Sequence, residues 1–197
     1  MIDEGYIKFQ ASWEQTTPLP DAAIRELNNF RQLMYDHQLI GAYNNGIGFG
    51  NISQRIGDSD QFYITGSATG NFRELQATHF SIVTKVDIDQ NRLRCKGASI
   101  ASSESMSHAV IYQTCDWVKA VIHVHDLELW KKLLFQVATT PKSVSYGSPE
   151  MAYSIIDLFK NGEAAQERIF AMAGHEEGIF VFGETLEEAA ALILSYL

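Results

Sequence analysis

The spacing of apolar and polar positions predicts alternating helices and strands along most of the chain. Asp21 is a good N-cap, and the apolar residues that follow it fall at helical spacing on one face. Apolar, β-branched or aromatic runs at residues 61–65, 80–86 and 178–182 predict strands. We therefore expect one α/β domain over residues 21–197, preceded by an irregular N-terminal arm over residues 1–20.

Capping residues predict where the other helices begin. Ser102 or Ser103 caps a helix that runs to about residue 115, Asp126 opens residues 127–137, Ser148 opens a helix that stops near residue 162, and Thr185 opens the C-terminal helix. Pro149 supports the Ser148 assignment, because proline is favoured at the first helical position.

Composition excludes several classes of protein. The chain has 197 residues and a net charge of −9 without a basic run, which argues against a nucleic-acid-binding surface. The sequence has no apolar stretch long enough to span a bilayer and no apolar N-terminal signal. Cys95 and Cys115 form no Cys-x-x-Cys motif and are expected to be reduced thiols. We expect a cytoplasmic protein without membrane or nucleic-acid partners.

The strongest chemical signal is the segment Val121-Ile122-His123-Val124-His125. Side chains of a strand alternate between its faces, so both histidines lie on one face with Cα atoms roughly 6.6 Å apart. Two imidazoles in this arrangement can bind one metal ion, and three nitrogen ligands with a nearby carboxylate describe a catalytic site. The alternative is a half-buried histidine pair with ordinary hydrogen bonds.

The order of short motifs resembles the class II aldolase/adducin family over residues 21–197. The motifs are Gly50-Asn51-Ile52-Ser53, Thr69-Gly70, Ser102-Ser103-Glu104-x-x-x-His108, His123-Val124-His125, Tyr146-Gly147-Ser148-Pro149-Glu150-Met151-Ala152, and Gly174-His175 before Gly178-Ile179-Phe180-Val181-Phe182-Gly183. The resemblance implies a three-layer α/β/α sandwich with a central, largely antiparallel sheet. It also implies a homo-oligomer, most often a tetramer, with active sites at subunit interfaces.

The resemblance also implies roles for individual residues. One divalent ion per chain, with Zn²⁺ favoured, would be bound by His123, His125 and His175. Glu104 would be the general acid/base, and Tyr146 would reach a neighbouring subunit's site and protonate a leaving group. The implied phosphate-binding set comprises Gly50, Asn51, Thr69, Gly70, Ser102 and Ser103.

Each of these residues also has a simpler interpretation. Glu104 is expected in the first turn of its helix, where an acid commonly complements the helix dipole. Tyr146 can be a packing residue, and Thr65-Gly66 competes with Thr69-Gly70 as the phosphate motif. His108 shares a helix face with Glu104, and a hydrogen bond that orients a neighbour is favoured over metal binding.

The third histidine departs from the family pattern, in which a glycine follows the histidine directly. Here Glu176-Glu177 separates His175 from Gly178. This insertion either places an extra carboxylate near the metal or leaves both glutamates in solvent, and the second interpretation is favoured.

These observations predict a metal-dependent, aldolase-like lyase. The expected substrate is a small phosphorylated sugar or hydroxy-ketone, converted through a metal-stabilised enediolate. A dehydratase, a decarboxylase or a 4-epimerase can use the same site, although Glu104 disfavours the epimerase because aspartate occupies that position in the epimerase branch. A non-catalytic, adducin-like assembly module is the alternative outside enzymes, but every one of the four site positions carries a competent residue.

Overall fold

The computed structural model describes residues 6–197 as one mixed α/β sheet structure with helices on both faces. The first five residues of the N-terminal arm lie outside the described part. The strands are β1 (Gln10–Gln15), β2 (Gly41–Ala42), β3 (Gly48–Phe49), β4 (Asn51–Arg55), β5 (Phe62–Thr65), β6 (Phe80–Asp87), β7 (Arg92–Gly97), β8 (Ala120–His125), β9 (Thr139–Thr140), β10 (Ile169–Met172) and β11 (Gly178–Gly183). The helices are α1 (Asp21–Asp36), α2 (Ser105–Thr114), α3 (Leu127–Leu133), α4 (Pro149–Lys160), α5 (Glu163–Glu167) and α6 (Leu186–Leu194), with a 3₁₀ turn at Ala77–His79.

The central sheet has nine strands in the order β1-β7-β6-β5-β4-β8-β11-β10-β9. The inner pairs are antiparallel, whereas β1 joins β7 and β9 joins β10 in parallel. The sheet is therefore mixed, and its largely antiparallel character and the α/β class agree with the expectation. Strands β2 and β3 form a separate small hairpin.

Apolar side chains alternate along β8 and divide the core into two layers. Ile122 and Val124 pack with α1 and α6 on one face of the sheet, whereas Val121 packs with α2 and α4 on the other. His123 and His125 follow the same alternation as Val121, so they belong to the α2–α4 face. All six residues of β8 are buried, which is expected for a strand with helices on both sides.

Three of the predicted caps are present, whereas the prediction for Asp21 is wrong because it is the first residue of α1 and its side chain caps nothing. Asp126, Ser148 and Thr185 each accept a hydrogen bond from a backbone N–H in the first turn of α3, α4 and α6. The prediction for Ser102 and Ser103 is wrong by a short distance: α2 begins at Ser105, and Glu104 occupies its N-cap position.

The prediction of an irregular arm is wrong for Gln10–Gln15, which form the edge strand β1. All six residues of this strand are exposed, so no alternation of apolar and polar residues marks it. Within residues 6–197, no helix combines the length and apolar character that a bilayer span requires.

Candidate active site

Three histidines from two parts of the fold meet on the α2–α4 face of the sheet. His123 and His125 come from β8, and His175 comes from the turn between β10 and β11. Each offers a ligand atom, and these atoms all lie within 4.8 Å of one another. All three side chains are buried, at 6% exposure or less. The metal-ligand set expected from the sequence is thus brought together.

Hydrogen bonds fix which nitrogen of the strand histidines faces inward. His123 Nδ1–H donates to the carbonyl oxygen of Ile179 at 3.2 Å. His125 Nδ1 lies 3.1 Å from the Tyr43 hydroxyl, which itself donates to Glu177 Oε2 at 2.6 Å. A hydroxyl that donates elsewhere accepts from His125, so His125 also carries its proton on Nδ1. Both Nε2 atoms therefore present lone pairs.

These two Nε2 atoms lie 3.1 Å apart. Two lone pairs at this distance repel each other unless a cation lies between them. Two ligands of a tetrahedral zinc ion, each at about 2.05 Å, are separated by roughly 3.3 Å, which is close to this spacing. The pKa of His123 lies well below its ordinary value because of burial and the neighbouring histidines. Neutral imidazole is the form that binds metal, so the residues fit a divalent ion.

Glu104 lies beside the histidines and is completely buried. Its Oε1 is 3.3 Å from His175 Nδ1 but has no well-aligned hydrogen-bond partner within residues 6–197. Oε2 accepts a hydrogen bond from Ser107 Oγ at 2.7 Å. Burial raises the pKa of Glu104, but His175 and Ser107 outweigh it and the pKa lies below its ordinary value. Glu104 is therefore a buried carboxylate at the N-terminus of α2, and its burial distinguishes it from the exposed acids that are common at helix ends.

A cavity of about 280 Å³ adjoins these groups. All six residues of the expected phosphate-binding set line it: Gly50, Asn51, Thr69, Gly70, Ser102 and Ser103. Gly66 lines it as well, so the two competing Thr-Gly motifs occupy the same loop. None of the described lining residues is a lysine or an arginine, so the groups that the cavity offers to an anion are backbone amides, hydroxyls and the nearby N-terminus of α2.

Two glycines explain the shape of this loop region. Gly50 has φ +72°, a left-handed conformation that side chains disfavour. A Cβ atom on Gly70 would lie 2.1 Å from the carbonyl oxygen of Gly41, so only glycine fits there.

A buried chain of hydrogen bonds orients Asn51 at the cavity wall. His108 Nε2–H donates to Asn51 Oδ1 at 2.6 Å, and His108 Nδ1 lies 2.7 Å from Ser53 Oγ, which contacts the Tyr112 hydroxyl at 2.7 Å. The oxygen of Asn51 is thus engaged by His108, and Asn51 itself lines the cavity. His108 therefore orients a neighbour and is not among the residues placed to bind metal. Asn51 is also opposite His123 in the β4–β8 register, which connects the cavity to the histidines.

Tyr146 lies within its own chain's site. Its ring stacks on His175 with centroids 4.6 Å apart, and Lys8 Nζ lies 3.8 Å above the ring. Its hydroxyl accepts a hydrogen bond from the backbone N–H of Tyr6 at 3.2 Å. The N-terminal arm thus covers Tyr146, and Tyr6 also lines the cavity.

The glutamate insertion contributes one residue to the site, against the prediction that both glutamates lie in solvent. Glu176 is exposed, as expected, but Glu177 contacts Tyr43 and His125. The prediction for Glu177 is wrong because the β2–β3 hairpin, 134 residues away in sequence, folds over this turn.

Arg31 is a further residue near the site that the sequence pattern did not indicate. It is buried on α1 and donates to the carbonyl oxygens of Arg73 and Thr69, beneath the cavity loop.

Comparison with known proteins agrees with this geometry. The family model described as class II aldolase and adducin N-terminal domain matches residues 32–196. The chain belongs to this family. A search of curated proteins found no match.

Solved structures show the same fold at low sequence identity. An L-fuculose 1-phosphate aldolase is 20% identical, with a TM-score of 0.68 over 90% of this chain and 82% of that one. The L-fuculose-1-phosphate aldolase from Thermus thermophilus is 20% identical, with a TM-score of 0.62 over 90% of each chain. A sugar-phosphate aldolase from Thermotoga maritima is 15% identical, with a TM-score of 0.66 over 89% of this chain and 90% of that one.

Proposed function

We propose that this protein is a metal-dependent lyase of the aldolase type, acting on a small phosphorylated sugar or hydroxy-ketone. The observation that carries the proposal is the buried triad His123, His125 and His175, with two inward-facing Nε2 atoms 3.1 Å apart beside the buried carboxylate of Glu104. Zn²⁺ is the favoured ion, because imidazole nitrogen in a compact three-ligand site suits it. Family membership supports the reaction class.

The proposed reaction uses two adjoining regions of the site, which are the histidine triad with Glu104 and the neighbouring cavity. A divalent ion on the triad supplies Lewis acidity to adjacent carbonyl and hydroxyl oxygens of a substrate. Glu104, ionised and with no well-aligned hydrogen bond from residues 6–197 to Oε1, accepts the proton of a hydroxyl or of an acidified carbon and later returns it. We assign substrate phosphate to the adjoining cavity, where Asn51, Thr69, Gly70 and the Ser102-Ser103 turn provide small polar groups.

Tyr146 is proposed as the second proton donor. Its ring contacts His175, which places the side chain next to the proposed metal site, and its hydroxyl is hydrogen-bonded to the backbone of Tyr6. Because this contact is made within one chain, donation at the chain's own site is an alternative to donation across a subunit interface.

Assembly and location complete the proposal. We propose a homo-oligomer, with a tetramer favoured by the family resemblance, and a cytoplasmic location supported by two free cysteines. Fractionation of source cells tests the location: recovery in the cytosolic fraction supports it, and recovery outside the cell contradicts it.

A substrate screen tests the function. Purified, zinc-loaded protein is incubated with phosphorylated ketoses and hydroxy acids, and products are identified by mass spectrometry, with Glu104→Gln protein as the control. Formation of a ketone phosphate and an aldehyde supports aldol cleavage. Loss of water, loss of CO₂ or an epimer as the product would replace aldolase with dehydratase, decarboxylase or epimerase. No turnover of any compound by a metal-bearing protein favours the non-catalytic module.

A further inference from the structure

The Glu176-Glu177 insertion makes a tight turn beside the metal ligands. The backbone N–H of Gly178 donates to the carbonyl oxygen of His175 at 3.0 Å and closes a four-residue turn. Glu177 occupies the third position with φ +70°, where glycine or asparagine is normally found. A bulky acidic residue in this conformation is strained, and such strain is concentrated at functional sites.

The Glu177 side chain is directed at a metal ligand. Oε2 accepts a hydrogen bond from the Tyr43 hydroxyl at 2.6 Å and lies 3.8 Å from His125 Nδ1. Tyr43 in turn accepts from His125 Nδ1–H at 3.1 Å. The order His125, Tyr43, Glu177 forms a connected hydrogen-bond chain that ends on a carboxylate.

The β2–β3 hairpin holds this chain in place. Tyr43 follows β2, its backbone N–H donates to the carbonyl oxygen of Ile47, and its ring contacts Phe49 with centroids 4.7 Å apart. Phe49 also contacts the His125 ring at 5.6 Å. The His125 ring is therefore packed against Phe49 and hydrogen-bonded at Nδ1, and its Nε2 faces His123.

We propose that Tyr43 and Glu177 are positioning residues that set the tautomer and ring orientation of His125 and add negative charge behind it. Partners of this kind, on the far nitrogen of a ligating histidine, make the imidazole a stronger ligand. Glu177 belongs to the insertion that departs from the family pattern, so this chain uses its extra residues to strengthen its metal site. The inference rests on the proposed metal-dependent function.

Zinc affinity in a set of single variants tests the proposal. Tyr43→Phe removes the bridging hydroxyl, and Glu177→Gly removes the carboxylate while suiting the left-handed backbone. Each is expected to weaken Zn²⁺ binding about 10- to 100-fold, measured by competition with a chromophoric chelator. In Glu177→Gln the amide oxygen still accepts the hydrogen bond from Tyr43, so this variant is expected to lose less Zn²⁺ affinity than Glu177→Gly.

Glu176→Gln is the matched control, because it removes the same charge from the adjacent, exposed residue and is expected to bind zinc as the unaltered protein does. Thermal unfolding of the metal-free proteins separates positioning from folding. Glu177→Gly is expected to unfold no earlier than the unaltered protein while binding zinc more weakly.

Equal zinc affinity in Tyr43→Phe, Glu177→Gly and the unaltered protein would overturn the inference and leave the proposed function standing. An equal loss of zinc affinity in Glu176→Gln would also overturn the inference, because the loss would then follow from the negative charge of the turn and not from the contact that Glu177 makes. If the unaltered protein binds no zinc or other divalent ion, the proposed function and this inference both fail.

Discussion

Glu104 carries the proposed chemistry, and its complete burial distinguishes it from the exposed acids that commonly lie at helix ends. Glu104→Gln keeps the size of the side chain and an acceptor for Ser107 but cannot move a proton. We expect turnover of the identified substrate to fall by about 10² to 10⁴, with the unfolding midpoint and metal content unchanged. Near-native kcat in this variant would show that Glu104 is not the acid/base.

His108 makes a prediction about stability and pH. Burial lowers its pKa from 6.5 to about 3, partly offset by Glu104, so the native state keeps it neutral while the unfolded chain protonates it near pH 6.5. Below that pH the unfolded state binds more protons than the native state. The contribution of His108 to the free energy of unfolding is therefore complete above pH 6.5 and is lost as the pH falls towards 3. When the pH falls from 7 to 5, this contribution to the free energy of unfolding decreases by about 2 kcal/mol.

The measurement compares urea unfolding of the metal-free protein and of His108→Gln at pH 7 and 5. The variant lacks the titrating group, so its free energy of unfolding is expected to fall less than that of the unaltered protein. The same fall in both proteins would contradict a neutral, buried His108.

The sequence predicted residues whose position follows from local pattern or motif order, and missed those that depend on distant folding. Strand alternation alone placed His123 and His125 on one face, and motif order supplied His175 and Glu104. Tyr43 carries no local signal. The insertion marked Glu177 but did not decide where its side chain lies, because the contact joins a hairpin and a turn that are far apart in sequence.

At the scale of elements, helix α1 supports the cavity loop through Arg31. Its guanidinium donates to the carbonyl oxygens of Arg73 at 2.7 Å and Thr69 at 3.2 Å. Burial lowers the pKa of Arg31 to about 10, so it stays cationic at neutral pH. It places a positive charge below a cavity whose described lining residues carry none.

Arg31→Met is expected to weaken binding of inorganic phosphate and to destabilise the fold by about 1 to 3 kcal/mol, because buried carbonyl groups lose their donors. Titration calorimetry with phosphate and urea unfolding measure the two effects. Arg25→Met, on an exposed position of the same helix, is the control and should change neither. Phosphate affinity that is equal in both variants would contradict a supporting role for Arg31.

Elements were predicted well where side-chain caps mark them and poorly where their partners are distant. Asp126, Ser148 and Thr185 marked three helices because each satisfies a backbone donor locally. Strand β1 was missed because it is exposed on both faces and exists through parallel pairing with β7, about 80 residues later. The apolar periodicity of α1 did not mark Arg31, which is nevertheless buried on that helix.

At the scale of the whole molecule, a chain with net charge −9 repels anionic substrates at long range. Any affinity for the proposed phosphorylated substrate must therefore come from groups close to it, and we assign these to the triad, the cavity donors and Arg31. If a neighbouring subunit completes the site, activity per chain is expected to fall as the oligomer dissociates on dilution. Light scattering with activity measured across a dilution series checks this, and full activity in a monomer would show that Tyr146 acts in its own chain or not at all.

The central claim is that His123, His125 and His175 bind a divalent ion. The most direct measurement is elemental analysis of the purified protein beside a His123→Ala, His125→Ala double variant, with circular dichroism to establish that the variant is folded. We expect about one divalent ion per chain in the unaltered protein, zinc foremost, and almost none in the folded double variant. Equal metal content in the two proteins would contradict it.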